Sequence, residues 1–216
     1  AKIKYEGISI SRSENKIDDI VPNVTLNLHA PTEKTATIDI KPNTEAAKNA
    51  IIQFIGKYNQ LVAEINILTQ NKPEIVSELE YFTEDEKDSA MERLGRFQGE
   101  FSLSNEKTTL QRIINTSYTS SDDNTIKLLA QLGISSRSGT SSGSISQSQM
   151  RGYLEINEKQ LDEILENDIQ NARLLFGFDS DEDMVIDNGL AYQLDKNLQS
   201  YVQIGGILAS KTRNID

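Results

Sequence analysis

The stretch Lys41–Gln70, KPNTEAAKNAIIQFIGKYNQLVAEINILTQ, decides how the chain is read. Ala47, Ile51, Phe54, Ile55, Tyr58, Leu61, Val62, Ile65 and Leu68 recur at steps of three and four residues and form one stripe of an α-helix. Lys48, Asn49, Lys57, Asn59, Gln60 and Glu64 fall elsewhere. Asn43 or Thr44 can cap the first amides, Glu45 lies where the positive end of the helix dipole favours it, and Lys72-Pro73 stop the helix. Roughly 26 residues at about 1.5 Å each make a rod about 40 Å long. A stripe of that length must lie against other helices. Its paired neighbours, Phe54-Ile55 and Leu61-Val62, make it wider than a two-per-heptad seam, so an intramolecular bundle is expected ahead of an intermolecular coiled coil.

Composition bounds the rest. The 216 residues are 37% hydrophobic, enough for one generous core or two modest ones. No window of about eighteen residues is apolar throughout, so no membrane insertion is expected. The chain opens at Ala1 without an initiator Met or a signal segment, which reads as a fragment or a processed product. Acidic residues number 33 against 22 basic, a formal charge of −11, and the cations are scattered without interleaved aromatics, so no nucleic-acid partner is expected. Cysteine is absent, which removes disulfides, thiolate chemistry and Cys-ligated metals. With 6% aromatics and no Trp, an aromatic-lined ligand pocket is not expected either.

Residues 1–41 have a different grain. Ile3, Tyr5, Ile8, Ile10, Val24, Leu26, Leu28, Ala36, Ile38 and Ile40 alternate with polar residues, predicting strands near 2–5, 8–11, 23–29 and 35–40. Glu6-Gly7 and Pro31–Lys34 are turn candidates between them. So few large apolar residues make a poor independent domain.

Within GISISRSENKIDDIVPNVTLNL, the residues Gly7, Ile8, Ile10, Arg12, Asn15, Ile17, Asp18, Val24, Thr25, Leu26 and Leu28 resemble the signature of the flagellar filament cap family, with Asn23 where a Gly is usual. Phe54, Tyr58, Asn59, Leu61 and Val62 match the family's helical core motif. The likeness returns in GEFSLSNEKTTLQRIINT, LLAQLGIS, GYLEINEKQLDEILENDIQNARLLF and Tyr201–Gly206. It covers most of the chain apart from residues 71–97 and 135–150 and is similar to the family's C-terminal region without its terminal coiled-coil segments.

Between these landmarks, helical stretches are expected near Glu74–Tyr81 and Thr83–Leu94, the second opened by a Thr83/Glu86 capping box. Gly95–Leu103 reads as a strand or extended link, Ser104 as the cap of a helix carrying Leu110, Ile113 and Ile114, and Thr116–Asn124 as a polar loop. Ile126–Ile134 and Gly152–Ile156 flank a Ser-rich insert at 135–150, predicting a β-hairpin with a long tip. Asn157 and Gln160 start a helix with the stripe Leu161, Ile164, Leu165 and Ile169, under which Leu174, Leu175 and Phe176 pack. A last helix carries Leu190, Leu194, Leu198 and Tyr201, and Gly205-Gly206 ends or bends it. The fold class is therefore α+β, an antiparallel helical bundle with a β-hairpin preceded by a short β segment. Residues 1–42 complete a β-rich head domain, and residues 43–216 form an α-helical leg with the hairpin inserted at about 125–156.

Constellations with chemical potential are few. Asp179, Asp181 and Asp183 imitate positions 1, 3 and 5 of an EF-hand, but Met184 and Leu190 stand where the template needs Gly and Glu, so a solvated acidic loop is expected. His29, the only histidine, is expected exposed in a strand. Glu78, Glu80, Glu163 and Glu166 read as solvated helix carboxylates. Asn23-Val24-Thr25 and Asn115-Thr116-Ser117 match the glycosylation sequon by chance composition.

The resemblance implies a structural, non-enzymatic role: a homo-oligomeric ring of copies at the distal tip of the flagellar filament, reached through the flagellar export route, holding exported flagellin until it folds and inserts. Flagellin and further copies of itself are the implied partners, with hook–filament junction proteins and an export chaperone as additional ones. The location is extracellular, or periplasmic where flagella are internal. Loops 116–124 and 135–150 and the glycine pair are expected to rearrange as subunits enter. No catalytic, metal or cofactor-binding residue is implied; Gly7, Arg12, Asn15, Asp18, Phe54, Tyr58 and Asn59 are read as structural. The rival readings are a tip-located adhesin for host mucin or matrix, and a hydrolase with an unrecognised site built around His29.

Overall fold

The computed structural model describes residues 1–22, 24–32, 34–37, 42–121, 124–136 and 151–207. The chain divides into two compact units, Ala1–Lys41 and Pro42–Asp216.

The first unit holds two antiparallel hairpins. β1 (Lys2–Tyr5) pairs with β2 (Ile8–Ser11), with Tyr5 opposite Ile8 across a two-residue turn. Glu6 and Gly7 have φ of 46° and 85°, the doubly left-handed turn whose twist suits a tight hairpin and whose second position favours glycine. β3 (Lys16–Val21) pairs with β4 (Val24–Asn27), with an irregularity between Ile17 and Val21. β3 lies where no strand is expected, ahead of the strand predicted near 23–29. Its two central Asp residues have low strand propensity, but the ladder to β4 and the burial of Ile17 override it. β4 stops at Asn27, so exposed His29 lies beyond the strand rather than in it. Residues 35–37 form no strand; residues 38–40 of that expected element, and Asn23 and Glu33, lie outside the described residues.

The second unit is built on α1 (Thr44–Thr69), with the Asn43 side chain accepting from the Ala46 amide at 2.9 Å. Its stripe serves two cores. Ile51, Ile55, Tyr58, Val62 and Ile65 join α4 (Phe101–Ile114), α5 (Glu158–Phe176) and α6 (Leu190–Val202) around Leu110, Leu161, Leu165, Leu175 and Leu190. Turned to another side, Ala63 and Ile67 meet Ile75, Val76 and Leu79 around α2 (Glu74–Ser77) and Ala90 of α3 (Glu84–Arg93). α3 opens with the Thr83/Glu86 capping box.

Two expectations about the link to α4 change. Residues 95–98 are turns, not a strand: the Gly95 and Phe97 amides donate to the Ile67 and Leu68 carbonyls, both at 2.8 Å, and so satisfy the end of α1. α4 begins at Phe101, capped by Glu100, whose carboxylate accepts from the Ser102 amide and hydroxyl at 3.2 and 2.7 Å. Ser104, expected as the cap, lies inside the helix because Glu100 takes the first amides.

The hairpin is present but short. β5 (Ile134–Ser135) pairs with β6 (Glu155–Ile156) over two residues, and a 3₁₀ turn at Leu129–Leu132 replaces most of the expected first strand. Asp122, Asp123 and residues 137–150 lie outside the described residues. α5 runs through Phe176, so Leu174, Leu175 and Phe176 belong to the same helix beyond a kink at Asp168 (φ −147°, ψ 43°). There the carboxylate accepts from Thr125 Oγ1 at 2.6 Å and Asn171 Nδ2 at 2.8 Å, bonds that compete with the helix ladder. A bridge between Phe178 and Asn188 leads into α6, which ends three residues before Gly205, whose φ is positive.

Candidate functional site

The matched motif residues sit in two different settings. In the first unit Gly7 makes the β1–β2 turn, Asn15 offers its carbonyl to the Leu28 amide at 2.9 Å, and Asp18 is exposed on β3. Arg12 pairs with Asp19 rather than Asp18, at 2.7 Å. That pairing lowers the Asp19 carboxyl from its ordinary value and raises the Arg12 guanidinium. In the second unit Phe54 meets Phe176 edge to face at 5.8 Å, and Tyr58 is buried, which pushes its phenol up to about 12. Asn59 holds both backbone groups of Leu154, donating to its carbonyl at 2.9 Å and accepting from its amide at 2.8 Å.

Seven residues further along α1, Asn66 is fully buried and holds one backbone group of Arg151, its carbonyl. Its Nδ2 donates to the Arg151 carbonyl at 3.1 Å, while its Oδ1 accepts from Lys107 Nζ and Gln70 Nε2, each at 2.7 Å. The Arg151 side chain in turn forms a two-pronged pair with Glu78 at 2.5 and 3.0 Å. Burial, with the Arg151 charge behind it, lowers Lys107 from its ordinary value. None of Asn66, Lys107 and Arg151 is singled out by the sequence, because their partners lie tens of residues away. The hub anchors residues 151–154 to α1.

The described surface offers two features toward a partner. Where α4 and α6 run antiparallel, a cleft of about 580 Å³ opens, with Arg112 on one helix and Lys196 on the other. The antiparallel sense follows from Glu106 of α4 meeting Asn197 and Tyr201 of α6, while Arg112, later on α4, shares the cleft with Gln193 and Lys196, earlier on α6; burial and then its hydrogen bond to Glu106 raise Tyr201 to about 12. That pairing brings the start of α4 and the end of α6 to one end of the bundle, where Phe101, Val202 and Ile204 are 82%, 70% and 104% exposed.

Asp179, Asp181 and Asp183 do converge, with oxygens within 4.8 Å, but Asp179 accepts from the Glu182 and Met184 amides at 2.8 and 2.6 Å. Leu190, at the twelfth loop position, is a fully buried core residue and supplies no ligand. Glu78 serves Arg151; Glu80, Glu163 and Glu166 are exposed. Asn115 is exposed and donates to the Gln111 carbonyl at 2.7 Å, while Asn23 is outside the described residues. No described helix is long and apolar enough to cross a membrane.

The family model described as "Flagellar hook-associated protein 2 C-terminus" matches residues 1–216. The chain belongs to this family. It is 57% identical over 217 residues to the flagellar hook-associated protein 2 of Treponema maltophilum, covering 100% of this chain and 32% of that protein. Identity is 43% to the corresponding protein of Treponema pallidum (strain Nichols), covering 100% of this chain and 30% of that protein. It is 40% to that of Borreliella burgdorferi, covering 100% and 33%. The chain thus spans about a third of the length of these relatives. The crystal structure of the flagellar cap protein FliD D1-D2-D3 domains from Escherichia coli aligns with a TM-score of 0.53 at 21% identity, over 91% of this chain and 44% of that one, a likeness of fold.

Proposed function

We propose that the chain is the C-terminal part of a structural cap at the distal tip of the bacterial flagellar filament. The observation that carries this reading is the family match over all 216 residues, with three relatives of that description at 40–57% identity. In this role copies of the protein form a ring that retains exported flagellin while it folds and inserts. The first unit completes a β-rich head, the second is the leg toward the filament, and the motif residues Gly7, Arg12, Asn15, Asp18, Phe54, Tyr58 and Asn59 hold these units in shape. Flagellin and other copies are the partners. No bond is broken, so the protein acts by contact and not by catalysis. Phe101, Val202 and Ile204, each largely exposed, are apolar side chains available to such contacts.

Immunogold labelling of the full-length protein in its own organism tests the reading. Gold confined to the distal ends of flagella is expected, and a deletion strain should release unpolymerised flagellin. Gold along the filament or over the envelope, with filament growth intact in the deletion strain, would overturn the cap and bring the adhesin reading forward.

A further inference from the structure

We infer that the cleft between α4 and α6 receives an extended acidic peptide segment of a partner protein. The first ground is charge. The chain carries −11, yet none of the ten described residues lining this cleft is acidic, and two, Arg112 and Lys196, are cations on opposite walls. Among the described carboxylates flanking the lining, none forms an ion pair with Arg112 or Lys196. Glu106 accepts from Asn197; Asp187 accepts from the Ser180 amide and hydroxyl at 2.8 and 2.7 Å; Asp195 accepts from Gln199 at 2.7 Å. Among the described residues Arg112 has no ion-pair partner, and Lys196 has only the Tyr192 ring, 5.8 Å away.

The second ground is the chemistry between the cations. Ser117 and Thr119 present exposed hydroxyls, and Asn188 adds an amide, groups that donate to or accept from an extended main chain. The aromatic in the lining, Tyr118, is buried with its hydroxyl donating to the Ile113 carbonyl at 3.0 Å. No ring face is therefore offered for stacking on a base or sugar. Cations on two walls with peptide-like groups between them suit a segment bearing at least two carboxylates, whereas a small carboxylate would satisfy one wall.

Both cations are exposed, so each contributes modestly and in a salt-sensitive way, about two- to fivefold in affinity. The site is one for weak, reversible capture.

The test uses the whole 216-residue chain and a fluorescent hexapeptide alternating Asp and Ser, compared with its Asn/Ser counterpart by anisotropy. The Asp peptide should bind about tenfold more tightly at low salt and lose that advantage at high salt. Arg112→Gln and Lys196→Gln should each weaken it about two- to fivefold, and Lys196→Arg should restore it. Thermal melts should be unchanged, because neither side chain is in the core. Equal affinity for the two peptides, or unaltered affinity in the folded double variant, would overturn the site; free succinate competing as well as the Asp peptide would overturn the peptide assignment. None of these outcomes depends on where the protein sits on the flagellum, so this inference and the cap reading fail separately.

Discussion

Asn59 lies among the polar positions of the α1 wheel, yet its amide replaces a strand partner for Leu154 by both donating and accepting. Leu154 is 5% exposed, so its backbone groups have little access to water if that amide is removed. Asn59→Ala is expected to cost about 2–4 kcal/mol, the loss of two bonds with two polar groups left buried. Asn59→Asp keeps the acceptor but loses the donor, and should also destabilise. Urea unfolding of the variants measures this; a change in Asn59→Ala below about 0.5 kcal/mol would show that water replaces the clamp. Which residues could be read from the chain follows from the reach of their bonds. Asn43, Thr83 and Asn157 were legible as caps because each accepts from an amide three residues on. Asn59, Asn66 and Glu106 were not legible in these roles, because their partners lie 95, 85 and 91 positions away.

At the scale of elements, apolar spacing placed α1, α5 and α6, since a three-to-four repeat is imposed by the helix itself. It failed where tertiary bonds decide. β3 carries two Asp that speak against a strand, and residues 95–98 turn because α1 needs donors at its end. Nor could spacing reveal that α1 feeds two cores, because Ala63 and Ile67 fall outside its main stripe. The smaller core has few large side chains, with Ile67, Ile75, Val76 and Leu79 around Ala90. Ile75→Ala should therefore cost about 2–5 kcal/mol. The expected signature is faster hydrogen exchange over residues 73–94, with protection at Leu161–Leu165 of α5 retained. Equal loss of protection in both places would mean that the two cores open as one cooperative unit.

For the whole molecule, the two units differ in how much they bury. The second unit contains nearly all the fully buried apolar side chains, whereas in the first Ile17, at 2% exposure, is the one described hydrophobic residue in the buried class. Two-stranded hairpins are marginal by themselves, and one buried isoleucine contributes only about 2 kcal/mol against the entropy of ordering some forty residues. In the isolated 216-residue chain, limited trypsin digestion should therefore cut first within residues 1–41, at exposed Lys2, Lys4 or Lys16. With a further cut after exposed Lys34, a fragment beginning at Thr35 should accumulate and keep the helical circular-dichroism signal, since trypsin does not cut the Lys41–Pro42 bond. The proposed head adds a second arm. If the first unit completes a β-rich domain, the same lysines should resist trypsin in a longer chain that supplies the remaining strands, because pairing closes the backbone that the protease must engage. Early cleavage inside residues 42–121 would contradict the ranking of the two units. Equal sensitivity of Lys2, Lys4 and Lys16 in the short and long chains would contradict the completed head while leaving the helical unit as described.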